Sequence, residues 1–97
     1  MVGSFGNKLA EHLFDDLATK ETRKLPTELR RAARRKLLFL HDAGEFADMR
    51  VPPGNRLEAL RGDRKGFYSI RINQQWRITF RWQSGNAYDV AVEDYHS

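Results

Sequence analysis

The alternation in "FYSIRINQQWRITFRW", Phe67 to Trp82, restricts this chain more than any other feature. Side chains on a β-strand point to opposite faces in turn, so a period of two in polarity fixes both the strand and its buried side. Tyr68, Ile70 and Ile72 fall on one side of the first run, with Ser69 and Arg71 on the other. In the second run Trp76, Ile78, Phe80 and Trp82 oppose Arg77, Thr79 and Arg81. Asn73, Gln74 and Gln75 alone separate the runs, which predicts a hairpin. "QSGNA" supplies a further turn and "YDVAVEDYH" a third strand, with Val90 and Val92 facing inward. Such a sheet has one apolar face that must be covered. Its other face is expected to be open and studded with Arg71, Arg77 and Arg81, with Asp89 and Glu93 on the same side as partial neutralisers.

The cover comes from the first half of the chain. Asn7 can cap a helix over roughly 8–19, with Leu9, Leu13 and Leu17 stacked on one face. "LPTELRRAARRKLLFLHDAG" is a second helix, with Pro26 placed as an N1 proline and Gly44 as a C′ glycine. Leu29, Ala33, Leu37 and Leu40 form its buried stripe. "EFADMRVPPGNR" then breaks the helical pattern, because Pro52, Pro53 and Gly54 enforce an extended or turning segment. With 97 residues the chain is long enough for one core. The expected fold is α+β over residues 1–97 as a single domain, two N-terminal helices packed on one face of a mostly antiparallel sheet.

Charge is distributed unevenly. Residues 23–36 carry seven bases and one acid, and residues 50–81 carry eight bases and two acids, while the remaining segments are net acidic. Arginine supplies 12 of the 17 bases, and its planar fork matches phosphate and carboxylate oxygens. Two basic blocks are consistent with an acidic partner such as nucleic acid, or with a solvated surface and a cross-strand salt-bridge lattice.

Several chemistries drop out. The chain has no cysteine, which removes disulfides, cysteine-based zinc sites and thiol nucleophiles, and fits a reducing cytoplasm. No apolar run reaches the length of a membrane span, and "MVGSFGNKLAE" has no secretory core. His12 and His41 lie on helices without ligand-spaced partners, so no metal or other cofactor is expected. "GDRKG" lacks the spacing of a phosphate loop and suits a turn, with Arg64 and Lys65 toward solvent.

What remains is the terminal "DYH", Asp94 to His96, with the arginines. Read alone it is either a frayed strand end or an acid/base cluster. Metal-free RNA cleavage needs a base for the 2′-hydroxyl, cations for the phosphorane and an acid for the departing 5′-oxygen. His96 can serve as acid or base near neutral pH. Asp94, two residues back on an extended strand, can orient it or act as base. Tyr95 can donate a hydrogen bond or stack on a base, and Arg77 and Arg61 can hold phosphate.

"PPGNRLEALRGDRKGFYSIRINQQWRITFRW" followed by "DVAVEDYH" resembles the HigB branch of the RelE/ParE toxin superfamily, the plasmid maintenance system killer proteins, including its GraT-like chromosomal members. The similarity is sharpest from Pro52 to His96. It implies a RelE-like fold with a short first strand near Val2–Phe5. It also implies a ribosome-dependent endoribonuclease that cuts mRNA in the ribosomal A site without a metal. A HigA-like helix-turn-helix antitoxin would neutralise it and carry it to operator DNA. The family's terminal Asp–Tyr–His matches Asp94, Tyr95 and His96, and the arginine of its "WRI" matches Arg77. Where a better-known member has a lysine before "GD" this chain has Arg61, and where it has a histidine three residues earlier this chain has Glu58. Arg61 keeps the charge but does not readily yield a proton. Glu58 replaces an imidazole by a carboxylate that can serve as base or repel phosphate. Arg64, Lys65, Arg71 and Arg81 are the expected RNA contacts. A ParE-like gyrase-directed toxin, or a catalytically weak antitoxin-binding co-repressor, are the alternatives on the same fold.

Overall fold

The computed structural model describes residues 1–94. It contains two helices, α1 (Lys8–Phe14) and α2 (Thr27–Asp42), and four strands, β1 (Glu58–Ala59), β2 (Phe67–Arg71), β3 (Trp76–Gln83) and β4 (Asn86–Asp94). The strands form one antiparallel sheet in the order β1-β2-β3-β4. The helices cover one of its faces, as the alternation required. Ala33, Leu37 and Leu40 of α2 and Leu9, Ala10 and Leu13 of α1 close over Ile70, Ile78, Phe80, Val90 and Val92.

Local chemistry explains the boundaries. Asn7 Oδ1 accepts from the Ala10 amide at 2.9 Å and caps α1, while its Nδ2 donates to the Val92 carbonyl at 2.9 Å. One side chain therefore starts the helix and pins it to β4. The helix is shorter than the 8–19 expected. Asp16 turns left-handed (φ 57), the Leu17 amide reaches back to the His12 carbonyl at 2.9 Å, and the Asp16 amide to Leu13 at 3.2 Å. That closure ends the helix, and an aspartate tolerates the left-handed conformation better than most residues. Leu17 consequently leaves the buried stripe and is 48% exposed. For α2, Pro26 is the N-cap residue rather than the first helical one. Gly44 is not a left-handed cap, because the chain already leaves in extended form at Ala43 (φ −68, ψ 117).

The β2–β3 turn is organised by Asn73, whose Oδ1 accepts from the amides of Gln75 (2.8 Å) and Trp76 (2.7 Å). Ser84 and Gly85, both with positive φ, make the tight β3–β4 turn, the geometry that matches the twist of paired strands. A bulge between Thr79 and Arg81 leaves Asp89 as the extra residue, at φ 53. The expected strand near Val2–Phe5 is present as two parallel bridges, Val2 to Ala87 and Phe5 to Val90. Among the described residues no helix is long and apolar enough to cross a membrane.

Replacing Asn7 by alanine removes both the cap and the tether to β4. The expected cost is about 1–2 kcal/mol, visible as a lower midpoint in urea denaturation with an unchanged slope. An unaltered midpoint would show that α1 is held by packing alone.

Candidate active site

The sheet face turned away from the helices carries Glu58, Arg71 and Arg77 of the predicted site residues. Register places Glu58 beside Ser69 and Ser69 beside Thr79, one row across three strands. The neighbouring row runs Arg71, Arg77, Glu93. This face is not the open surface expected from the alternation. Ser69, Thr79 and Arg77 are all buried. At Arg77 the cover is the chain at Arg56–Glu58, whose carbonyl and carboxylate accept from its guanidinium. The residues just before are tied to α2 by the buried Asn55, which donates to the Met49 carbonyl at 3.3 Å and accepts from Lys36. Burial of the Lys36 ammonium, with Arg35 nearby, lowers its pKa from the usual lysine value. Arg56 follows in a left-handed conformation (φ 45), and its carbonyl accepts from Arg77 Nη1 at 3.4 Å.

Arg77 is the centre of this arrangement. Its Nη1 also donates to Ser69 Oγ at 3.1 Å, and its Nη2 to Glu58 Oε1 at 3.3 Å. The Arg77 side chain is 9% exposed and that of Glu58 45%. The structure thus joins a buried cation to a half-exposed carboxylate, two residues that lie far apart in sequence.

A second brace lies beside it. Glu93 accepts from both terminal nitrogens of Arg64, at 2.7 and 3.3 Å, and from the Thr79 hydroxyl. Burial pushes the Glu93 carboxyl up, but the hydrogen bonds from Arg64 and Thr79 outweigh it and hold its pKa below the ordinary 4.5. The same pairing raises the Arg64 pKa. Arg64 was expected toward solvent in "GDRKG". Instead Gly62 (φ 64) and Gly66 (φ 96) let a short turn at Gly62–Arg64 fold back, and the guanidinium sits 5.2 Å over the Phe67 ring. Arg81 is likewise paired, its Nε 2.8 Å from Asp89 Oδ2 across the bulge. The expected RNA contacts therefore divide. Arg64 and Arg81 are held by carboxylates, whereas Arg61, Lys65 and Arg71 make no ion pair among the described residues.

Asp94 ends β4 one residue beyond Glu93. It stands opposite Trp76, on the alternate side from Arg77, and accepts from Gln75 Nε2 at 2.9 Å. Arg61 lies exposed on the loop three residues past Glu58. Tyr95 and His96 lie outside the described residues. Of the two other histidines, His41 Nδ1 accepts from the Val2 amide and His12 is hydrogen-bonded to Thr19. No three histidine or acidic side chains among the described residues are grouped to hold a metal. Sequence reasoning overlooked Ser69 and Thr79. Two small hydroxyl residues facing each other between arginines were the available signal that this face is covered rather than solvated.

A family model for the RelE-like toxin HigB of type II toxin-antitoxin systems matches residues 3–96. Toxin HigB-1 of Vibrio cholerae is 38% identical over 95 residues, covering 98% of each chain. Endoribonuclease HigB of Proteus vulgaris is 49% identical over 41 residues, 42% of this chain and 45% of that one. Among solved structures, the YoeB-YefM complex from Staphylococcus aureus matches in fold with a TM-score of 0.61 at 14% identity, over 100% of this chain and 99% of that one.

Because the folded-state pKa of Glu93 is lowered, the stability it confers is complete above 4.5 and is lost as pH falls through the lowered value. Glu93→Gln should therefore remove part of the acid-side loss of stability below pH 4.5, as followed by urea midpoints across pH. An acid limb identical to that of the parent chain would mean that the carboxylate is not paired in solution.

Proposed function

Since the chain belongs to the HigB-like family of RelE-type toxins, we propose that it is a ribosome-dependent endoribonuclease that cuts mRNA in the ribosomal A site without a metal. It acts in the cytoplasm, and a HigA-like helix-turn-helix antitoxin neutralises it and brings it to operator DNA. The observation that carries this reading is the Glu58–Arg77 pair, a carboxylate and a buried cation in contact on the face toward which Glu93 is also directed. The endoribonuclease activity for which the Proteus vulgaris relative is named supports the same chemistry.

The steps follow from what each group can do. Glu58 accepts the 2′-hydroxyl proton as the 2′-oxygen attacks the adjacent phosphorus, and Asp94, two residues before His96 in the chain, orients that imidazole. Negative charge grows on the phosphorane oxygens, and Arg77 and Arg61 stabilise it as fixed cations. The 5′-oxygen leaves with a proton from His96, giving a 2′,3′-cyclic phosphate and a 5′-hydroxyl end. Tyr95 orients a base or the phosphate. Lys65 and Arg71, which are not committed to carboxylates among the described residues, hold flanking phosphates. Because Arg77 is already bonded to Ser69 and the Arg56 carbonyl, it reaches the reaction as a preorganised charge and not as a flexible surface ligand.

Expression of the chain without antitoxin, with mapping of mRNA 5′ ends, should give cuts within translated codons that vanish when initiation is blocked. His96→Ala and Glu58→Gln should each lower cleavage by roughly 10²–10⁴-fold, the usual contribution of a general acid or base, with the melting temperature of each variant measured in parallel. A stable His96→Ala variant that still cuts at the parent rate would defeat the assignment. DNA damage signalling with intact mRNA would point to a gyrase-directed toxin, and a harmless chain that still binds antitoxin would point to a co-repressor.

A further inference from the structure

The second basic block lies on the opposite side of the molecule from Arg77, with the sheet between them. Where α1 ends and α2 begins, a cleft of about 220 Å³ opens between the helices, lined by Leu13, Leu17 and Ala18 and by Arg30, Arg31 and Arg34. Leu17 is here because Asp16 terminates α1 early, which turns this leucine out of the core. The cations are poorly compensated. Arg34 Nε is buried without a hydrogen-bond partner among the described residues and stands 4.0 Å from Asp16 Oδ1. The Arg30 guanidinium donates to the Thr27 hydroxyl at 2.8 Å, and neither Arg30 nor Arg31 makes an ion pair among the described residues. The volume is below that of a typical small-molecule site and suits one inserted side chain. An apolar recess ringed by arginines differs from the flat cationic tracks that follow a phosphate backbone, which need no apolar slot. It matches the anatomy of a protein contact, an anchor in a pocket with charged groups around it.

We propose that this cleft receives an acidic segment of the antitoxin, which seats one apolar side chain on Leu13 and Leu17 and places its carboxylates on Arg30, Arg31 and Arg34. The inference rests on the antitoxin partnership proposed above and adds the surface and the chemistry of the segment that fills it. A carboxylate at the cleft would offset three neighbouring positive charges. Docking here leaves the Glu58–Arg77 face untouched.

The test uses full-length toxin variants Leu17→Asp and Arg31→Glu, both at exposed positions, with the helix-turn-helix protein encoded beside the toxin as the probe. Titration calorimetry should show Kd for that protein raised at least about tenfold by each variant, as for an interface anchor, with the Arg31→Glu loss shrinking at high salt. Binding to purified ribosomes and toxicity without antitoxin should match the parent. Wild-type binding that neither variant weakens would overturn the inference while leaving the partnership intact. Weakened ribosome binding by Arg31→Glu with unchanged antitoxin affinity would also overturn it and assign the cleft to ribosomal RNA. Failure of the wild-type toxin itself to bind the probe would defeat the partnership, and the inference with it.

Discussion

The buried guanidinium of Arg77 is the constraint around which the functional half of the molecule is arranged. A charge removed from water has to be matched by hydrogen bonds and opposite charge, because an uncompensated one costs several kcal/mol. Ser69, Glu58 and the Arg56 carbonyl supply that match. Each comes from a different stretch: β2, β1 and the loop before β1. Satisfying one side chain therefore fixes where the segment from Arg56 to Glu58 lies. Asn55, buried and bonded to Lys36 and the Met49 carbonyl, anchors the same segment to α2. The site is thus linked to both layers of the fold, so removal of Arg77 would disturb structure as well as chemistry.

The remaining arginines differ according to the carboxylates near them. Glu93 grips Arg64 and takes the Thr79 hydroxyl, which ties the Gly62–Arg64 turn to β4. Asp89 reaches Arg81 from its bulge position. Both pairs are about half exposed and add little to stability individually. Their effect is positional. The Arg64–Glu93 pair holds the turn between Arg61 and Lys65 to β4, and those two cations make no ion pair among the described residues. A uniformly basic stretch in sequence is in this way sorted into structural braces and candidate phosphate contacts.

Much of the architecture was legible from the chain. Strict alternation across Trp76 to Trp82 identified the core face of β3, and Ile78 and Phe80 are indeed fully buried. Asn7 was readable as a cap because its side chain can accept from a free helical amide. The length of α1 was not, since the left-handed closure at Asp16 competes with a leucine spacing that would continue the helix. The Gly44 cap also failed to appear, because the chain leaves α2 extended at Ala43. At the site, Glu58 and Arg77 could be named from resemblance, yet their direct contact could not.

By itself the sequence determined the strands, their inward side chains, the two covering helices and the types of residue available for acid/base work, because periodicity and capping act over a few residues. Only the tertiary structure decided which face would be sealed, which arginines would be taken by carboxylates and which would remain exposed. Those outcomes depend on a two-residue strand, Glu58–Ala59, finding β2, and on a turn that brings Arg56 over the sheet. The pairs Arg77–Glu58 and Arg64–Glu93 join residues 19 and 29 positions apart. No local pattern encodes them, because their free energy comes from matching charge and hydrogen bonds between segments that meet only in the folded chain.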